Sequence, residues 1–329
     1  MIQLSIIIPC KNEEDYISLC LESVLKQGIE NEIEVIIVDN GSNDNTLRIL
    51  KGYKKKIHLL EFHGETIAAV RNHGASASKG EWLAFIDADV ELSEGWYRSL
   101  KKCLEKRKIE GISHENIVTG STCTIPPNSH WMESTWFGQL KARDLLNNRY
   151  INSGHLIVHR NLFKKIGGFN PLFKTGEDEK FCDDARLAGG VILKDPTLRA
   201  IHHGYPKTIG SFFLREKWHG LGMKKHINRP WRYRDLQLAF FFWFLFIIFM
   251  VLLVWGKLNF LSCMLIFALL IGPLFILSLR RTGFHLKKGI LLTLLFIVYA
   301  SAKAFALGSI LFRREGKLLS FSQIQNRIV

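Results

Sequence analysis

Hydrophobic positions follow two regimes along the chain. Up to about residue 205 they form short runs separated by helical spacings, and beyond residue 235 they fuse into three long stretches. Leu4 to Ile8 is a β-branched run of the kind that forms a strand buried on both faces. In "NEEDYISLCLESVLKQG", Tyr16, Leu19, Cys20 and Val24 can share one helical face, and Gly28 ends the helix. "EVIIVDNGS" is a second buried strand closing in Asp39 and a turn, and "SNDNTLRILKGY" returns as a helix behind capping residues. Strand, helix, strand, helix over roughly the first 50 residues predicts an α/β domain on a parallel sheet with right-handed crossovers.

The late stretches are Leu236 to Trp255, Leu258 to Leu279 and Ile290 to Phe312. The first holds one polar residue, Gln237, and reaches the ~20 residues that cross a bilayer core. The second carries Asn259 and Pro273, which a membrane helix tolerates. The third has Lys303 in its middle, and a charge at the bilayer centre costs roughly 3 kcal/mol or more. Whether this segment crosses, re-enters or lies in the interface is open from the sequence. Lys224, Lys225, Arg229, Arg232 and Arg234 precede the first span and mark the cytoplasmic side, so the front domain is expected in the cytosol. Arg280, Arg281, Lys287 and Lys288 fit two crossings. If the third segment also crossed, Arg313, Arg314 and Lys317 would be external, against the rule, so the side of the tail stays open. The sequence thus divides into a domain over 1–205, a basic amphipathic interface segment over 206–235, apolar helices over 236–312 and a basic tail over 313–329.

Charge sharpens this division. The 329 residues carry a net charge of +14, yet residues 1–205 hold 26 Lys and Arg against 27 Asp and Glu. The excess sits beside the apolar segments, which points to an anionic membrane surface and away from nucleic acid. Ile6 to Ile8 is too short for a signal-peptide core and is stopped by Pro9, so no signal peptide is expected. The six cysteines show no C-x-x-C spacing and read as reduced structural thiols.

The chemistry concentrates in "FIDADV", where Asp87 and Asp89 stand one residue apart at the end of the apolar run Trp82 to Ile86. Such carboxylates repel each other unless they share a cation, the plainer reading being a polar strand end and a turn. Pro9 to Glu13 and Asp39 to Ser42 also follow apolar strands. All three therefore line the carboxyl edge, where open α/β sheets bind ligands. No G-x-G-x-x-G and no P-loop is present, so a bound diphosphate would need a metal to neutralise it. Asp87 and Asp89 are hard oxygen ligands suited to Mg²⁺ or Mn²⁺.

Five stretches in order resemble the family 2 glycosyltransferases of the GT-A fold over roughly residues 3–225. They are "SIIIPCKNEEDYISLCLESVLKQ", "EVIIVDNGSNDNT", "RNHGASASKGEWLAFIDADV", "INSGHLIVHRNLFKKIGGF" and "GEDEKFCDDARLAGG". The resemblance implies a mostly parallel sheet flanked by helices, a nucleotide-sugar donor, a divalent metal and inversion at the anomeric carbon. It further implies that Pro9, Asn12 and Glu13 pass beside the nucleotide, that Asp39 accepts a hydrogen bond from a uracil-type ring and that Arg71 lies near the base. "DAD" resembles the D-x-D motif, with Asp87 and Ala88 nearer the nucleoside and Asp89 on the metal. Gly176 to Asp178, "GED", resembles the motif that supplies the catalytic base, here Asp178, with Glu177 as an acceptor-site partner. His202 or His203 resembles a late histidine that completes the metal shell. Trp131, Trp136, Asn152, Ser153 and Gly154 are expected to line the acceptor pocket.

One departure narrows the reading. Processive synthases of this family carry Q-x-x-R-W, whereas this chain has "LREKW" at Leu214 to Trp218, with no glutamine and with Lys217 in place of the arginine. This departure favours addition of a single sugar, from a UDP-sugar by preference, and the apolar anchor makes a hydroxyl or phosphate of a polyprenyl-linked lipid intermediate of a surface polysaccharide the expected acceptor. The enzyme is expected at the cytoplasmic face of the cell membrane. Phe212, Phe213, Trp218, Leu221 and Met223, interleaved with basic residues, suit a segment lying on that surface. The rivals are a non-catalytic membrane subunit of an assembly complex and a sugar nucleotidyltransferase, which would carry a glycine-rich basic loop where this chain has "PCKNEE". Donor sugar, acceptor and oligomeric state are not legible.

Overall fold

The structure is a computed structural model and describes residues 3–28, 32–138, 150–228, 230–257 and 259–312. Arg229, Leu258, the tail from Arg313 and the side chains of Lys225 and Arg232 lie outside the described residues. The chain forms two compact units. One comprises Met1–Asn128 with Leu140–Tyr205, and the other Ser129–Gln139 with Pro206–Val329.

The first unit contains β1 (Leu4–Cys10), α1 (Ile17–Leu25), β2 (Ile33–Asp39), α2 (Thr46–Gly52), β3 (His58–Glu61) and α3 (Ile67–Ala77). It continues with β4 (Trp82–Ile86), β5 (Val90–Leu92), α4 (Trp96–Ile109), β6 (Ile117–Gly120) and β7 (His155–His159). After these come α5 (Arg160–Lys165), α6 (Glu177–Leu187), β8 (Val191–Lys194) and β9 (Ala200–His202). Seven strands form one sheet in the order β3-β2-β1-β4-β7-β6-β8, and β5 pairs with β9 in a second, two-stranded sheet. Among the described strands of the large sheet only β7 runs against its neighbours, so the mostly parallel α/β architecture expected from the sequence is present.

Burial on both faces explains the uninterrupted apolar strands. Ile6 and Ile8 pack with α1 and α4 residues such as Leu21 and Leu100, while Ile7 on the opposite face packs with Leu83 and Phe85. Two polar residues in these strands are register partners: the buried Ser5 donates to Glu34 at 2.6 Å, and Glu34 also accepts from the Gly80 amide at 3.2 Å. Parallel pairing in register, from Leu4 against Ile33 to Cys10 against Asp39, aligns the carboxyl ends of β1 and β2. Helix α3 lies close on the sheet because Gly74 has no side chain. A Cβ there would come 2.5 Å from Ile7 and 2.9 Å from Val38. Arg71, about one turn earlier, is fixed by the same approach.

The second unit is helical, with α7 (Ile209–Gly220), α8 (Arg234–Val254), α9 (Phe260–Arg281) and α10 (Leu286–Phe312). The last three are long and apolar enough, by length and composition, to cross a membrane. Lys303 does not interrupt the third. It is buried in a continuous helix, and its Nζ donates to the Glu216 carbonyl at 3.0 Å and lies 3.3 Å from the Glu216 carboxylate on α7. Gly220 permits this approach, since a Cβ there would lie 2.6 Å from that of Ala306.

Of the apolar residues expected to face a membrane surface over 206–235, Phe212 and Met223 are instead buried inside the unit, while Phe213, Trp218 and Leu221 stay partly exposed. Phe212 packs at 5.1 Å against Trp136, which also contacts Phe296 at 5.0 Å and Tyr299 at 5.1 Å. Residues 129–138, including a π-type turn at Glu133–Phe137, thus leave the first unit and become part of this aromatic core. Trp136 fills a core and is not a sugar platform.

Candidate active site

The ends of β1, β2 and β4 and the start of β7 meet at one edge of the sheet. Because β7 is antiparallel, with His155 opposite Ile86, the residues preceding it reach the same edge as those following β4. The Asp87 amide donates to the Gly154 carbonyl at 3.1 Å. Gly154 is bare for a reason beyond the turn: a Cβ there would run into the Asp87 carboxylate. Gly204 stands in the same relation to Asp89. The sequence offered no role for Gly204, although its position directly after two histidines was the available signal.

Asp87, Asp89 and His202 each present a ligand atom within 4.8 Å of the others. Strand pairing delivers the histidine, since β9 ends in His202 opposite Val90, one residue after Asp89. His202 Nε2 lies 3.5 Å from Asp89 Oδ2. The two histidines separate here. His203 Nε2 is 2.8 Å from Glu91 and does not join the cluster. Two carboxylates, one imidazole and two glycines that keep space beside the carboxylates make a donor set that fits Mn²⁺ or Mg²⁺. Burial first, then the charges of Asp89 and Asp87, push the nearby Glu13 carboxyl up to about 9.

The loops beside this cluster are laced together. The Asn12 amide donates to Ser42 Oγ at 3.0 Å, Asn12 Oδ1 accepts from the Asn43 amide at 2.9 Å, and the Glu13 amide donates to Thr46 Oγ1 at 2.8 Å. Asn12 holds this position at a φ of 55°, in the left-handed region that asparagine tolerates. Asp39 is buried and accepts from the Gly41 and Ser42 amides at 3.1 and 3.0 Å and from the Ser42 hydroxyl. Its carboxylate therefore builds the turn, beyond the nucleobase role implied by the resemblance. Pro9 lies buried inside β1 opposite Val38, and the Ala88 methyl sits in the core, so a contact of either with a nucleotide would fall to its backbone.

Arg71, expected near the base, is tied to carboxylates in this structure. It is buried, donating to Asp87 Oδ1 at 2.7 Å and to Glu177 Oε1 at 2.9 Å. Ser153 Oγ donates to the same Glu177 oxygen at 3.2 Å. Glu177, Asp178 and Glu179 form the first turn of α6, where the helix dipole favours acidic groups. Asp178 Oδ1 accepts from the Glu179 amide at 2.8 Å. Burial first, and then the charge of Glu177, raise the Asp178 carboxyl to about 7.

Of the remaining expected acceptor residues, Asn152 is exposed and its Oδ1 accepts from the Gly154 amide at 2.8 Å. His155, which ends the "NSGH" stretch, is internal: Trp96 Nε1 donates to its Nε2 at 2.8 Å, and burial pushes its pKa down to about 4. Trp131 and Trp136 belong to the second unit.

Comparison with known proteins accords with this geometry. Residues 5–167 match the family model described as Glycosyl transferase family 2. Glycosyltransferase AglE of Haloferax volcanii is 28% identical over 196 residues, covering 56% of this chain and 62% of its own. Poly(ribitol-phosphate) beta-glucosyltransferase of Bacillus spizizenii is 39% identical over 110 residues, 30% of this chain and 17% of its own. The chain thus spans less than two thirds of these relatives' lengths. The mannosyltransferase PcManGT from Pyrobaculum calidifontis, solved in complex with GDP-Man and Mn²⁺, superposes with a TM-score of 0.59 at 14% identity, covering 95% of this chain and 88% of that one. That likeness is one of fold, the GT-A fold.

Proposed function

Because the chain carries a glycosyl transferase family 2 domain on a GT-A fold, we propose that it moves a single sugar, with inversion, from a nucleotide-diphosphate donor to an acceptor hydroxyl or phosphate. The observation that carries this reading is the convergence of Asp87, Asp89 and His202 within 4.8 Å at the carboxyl edge of the sheet. These three residues would hold Mn²⁺ or Mg²⁺, which when bound neutralises the diphosphate and so favours departure of the nucleotide. That the Pyrobaculum mannosyltransferase of like fold was solved with GDP-Man and Mn²⁺ supports a nucleotide sugar and a divalent metal here.

The protein's own groups then have distinct tasks. The Asp39 turn and the Asn12–Glu13 loop hold the nucleoside, with UDP the favoured nucleotide. Asp178 removes the proton of the acceptor hydroxyl, and a group titrating near 7 is well matched to that work at neutral pH. Glu177, Asn152, Ser153 and Gly154 border the acceptor. Helices α8, α9 and α10 anchor the chain in the cell membrane, with the basic residues before α8 placing the domain on the cytoplasmic face. A polyprenyl-linked lipid acceptor follows from the anchor, since both substrates then meet at the interface. The relative named for poly(ribitol-phosphate) glucosylation favours a surface-glycan role.

The test is release of nucleoside diphosphate by the full chain in detergent, across a panel of nucleotide sugars with Mn²⁺ or Mg²⁺ and a polyprenyl phosphate acceptor. Metal-dependent release from at least one donor is expected. Folded protein silent on every donor would favour the non-catalytic assembly-subunit reading.

A further inference from the structure

One buried cation is shared by carboxylates from two parts of the site. The Arg71 side chain is 4% exposed, Glu177 9% and Asp87 29%. A guanidinium stripped of water to that degree stays charged at little cost only where carboxylates replace the water, and here two do so. The Phe169 ring lies 5.7 Å from the guanidinium carbon, and Ser153 holds the Glu177 oxygen that Arg71 holds. The contacts fix a direction at each end: Asp87 is gripped by Oδ1, leaving its other oxygen beside Gly154, and Glu177 is gripped by Oε1.

The geometry points to Arg71 as a positioning residue that joins the donor and acceptor halves of the site. Through one nitrogen it orients Asp87 for the cation, and through the other it takes up the charge of Glu177, which stands next to Asp178. The role rests on the reading of Asp178 as the base. Among the described residues, the charged or titratable groups that act on Asp178 are Glu177 beside it, Cys182 one turn further along α6 and Arg71 from α3, and the Glu179 amide donates to its carboxylate. Glu177 raises the Asp178 carboxyl and Arg71 lowers it, so the guanidinium limits how tightly the base keeps its proton. A lysine would carry the charge but has no planar fork with which to grip both carboxylates.

The experiment uses the full chain in detergent and pH-induced infrared difference spectra, with Asp178→Asn identifying the carboxyl band. Arg71→Gln should move the Asp178 midpoint up by about one pH unit or more, because Glu177 is then unopposed. Glu177→Gln should move it down, since Arg71 then faces Asp178 without its partner. Arg71→Lys should give a shift smaller than Arg71→Gln. An unmoved midpoint in folded Arg71→Gln overturns the proposal. If that variant does not fold, an unmoved or raised midpoint in Glu177→Gln overturns it instead. Turnover against pH on the same preparations separates the two readings. A wild-type rate limb tracking the infrared midpoint supports Asp178 as base. Absence of turnover with every donor removes that assignment while the spectra still decide whether Arg71 sets the charge at Asp178.

Discussion

Gly204 and Asp89 occupy space that only one side chain can fill: a Cβ on the glycine would collide with the Asp89 carboxylate. Gly204→Ala is therefore expected to weaken Mn²⁺-dependent UDP binding by roughly 10- to 100-fold, as displaced support around a metal ligand typically does. Asp89→Ala should abolish the metal-dependent part altogether. Calorimetry of UDP with and without Mn²⁺ checks both, and full affinity in folded Asp89→Ala would remove the aspartate from the metal site.

Asp178→Asn keeps the size of the side chain but cannot accept a proton at neutral pH. Transfer should fall by roughly 10² to 10⁴-fold with donor affinity little changed. The wild-type rate should rise with pH through about 7, because the raised carboxyl is protonated and inactive below that value and ionised above it. Near-normal transfer by the variant would hand the role of base to Glu177.

The ion pair between Lys303 and Glu216 is buried on both sides, with side chains 4% and 8% exposed. Removing Lys303 leaves the Glu216 carboxylate to Arg215, whose Nη1 lies 3.3 Å away. Lys303→Met alone should therefore destabilise the protein by less than about 3–5 kcal/mol, the cost of a fully stranded buried charge. Lys303→Met with Glu216→Gln should recover much of the loss. Thermal unfolding in detergent measures both, and equal stability of the single and double variants would mean the pair is not coupled.

A chain ending near Pro230 loses more than three apolar helices, because Phe296 and Tyr299 on α10 cover Trp136 and Lys303 pairs with Glu216. The truncated chain should aggregate unless detergent covers Trp136 and Phe212, and it should keep Mn²⁺-dependent UDP binding once solubilised. Sedimentation with and without detergent distinguishes this from a freely soluble domain. A monodisperse detergent-free chain would show that the aromatic core needs no α10.

Short-range patterning carried much of the architecture. Leu4 to Ile8 and Glu34 to Val38 read as buried strands because a strand covered on both faces cannot alternate polar residues, and the late apolar stretches read as long helices because length alone distinguishes them. The spacing of Asp87 and Asp89 at a strand end was equally legible, since a chemical pair one residue apart needs no tertiary knowledge to be noticed. What the tertiary structure decided depends on which distant segments meet. The antiparallel run of β7 brought Ser153 and Gly154 to the carboxyl edge, pairing of β5 with β9 chose His202 over its neighbour, and the close approach of α3 at Gly74 gave Arg71 two carboxylate partners 16 and 106 residues away. Trp136, expected in an acceptor pocket, and Lys303, a charge amid an apolar stretch, could not be placed from sequence for the same reason: a tryptophan or a charge carries no local mark of the partner that will bury it. Periodicity reports which face of an element is covered, and only the folded chain reports by what.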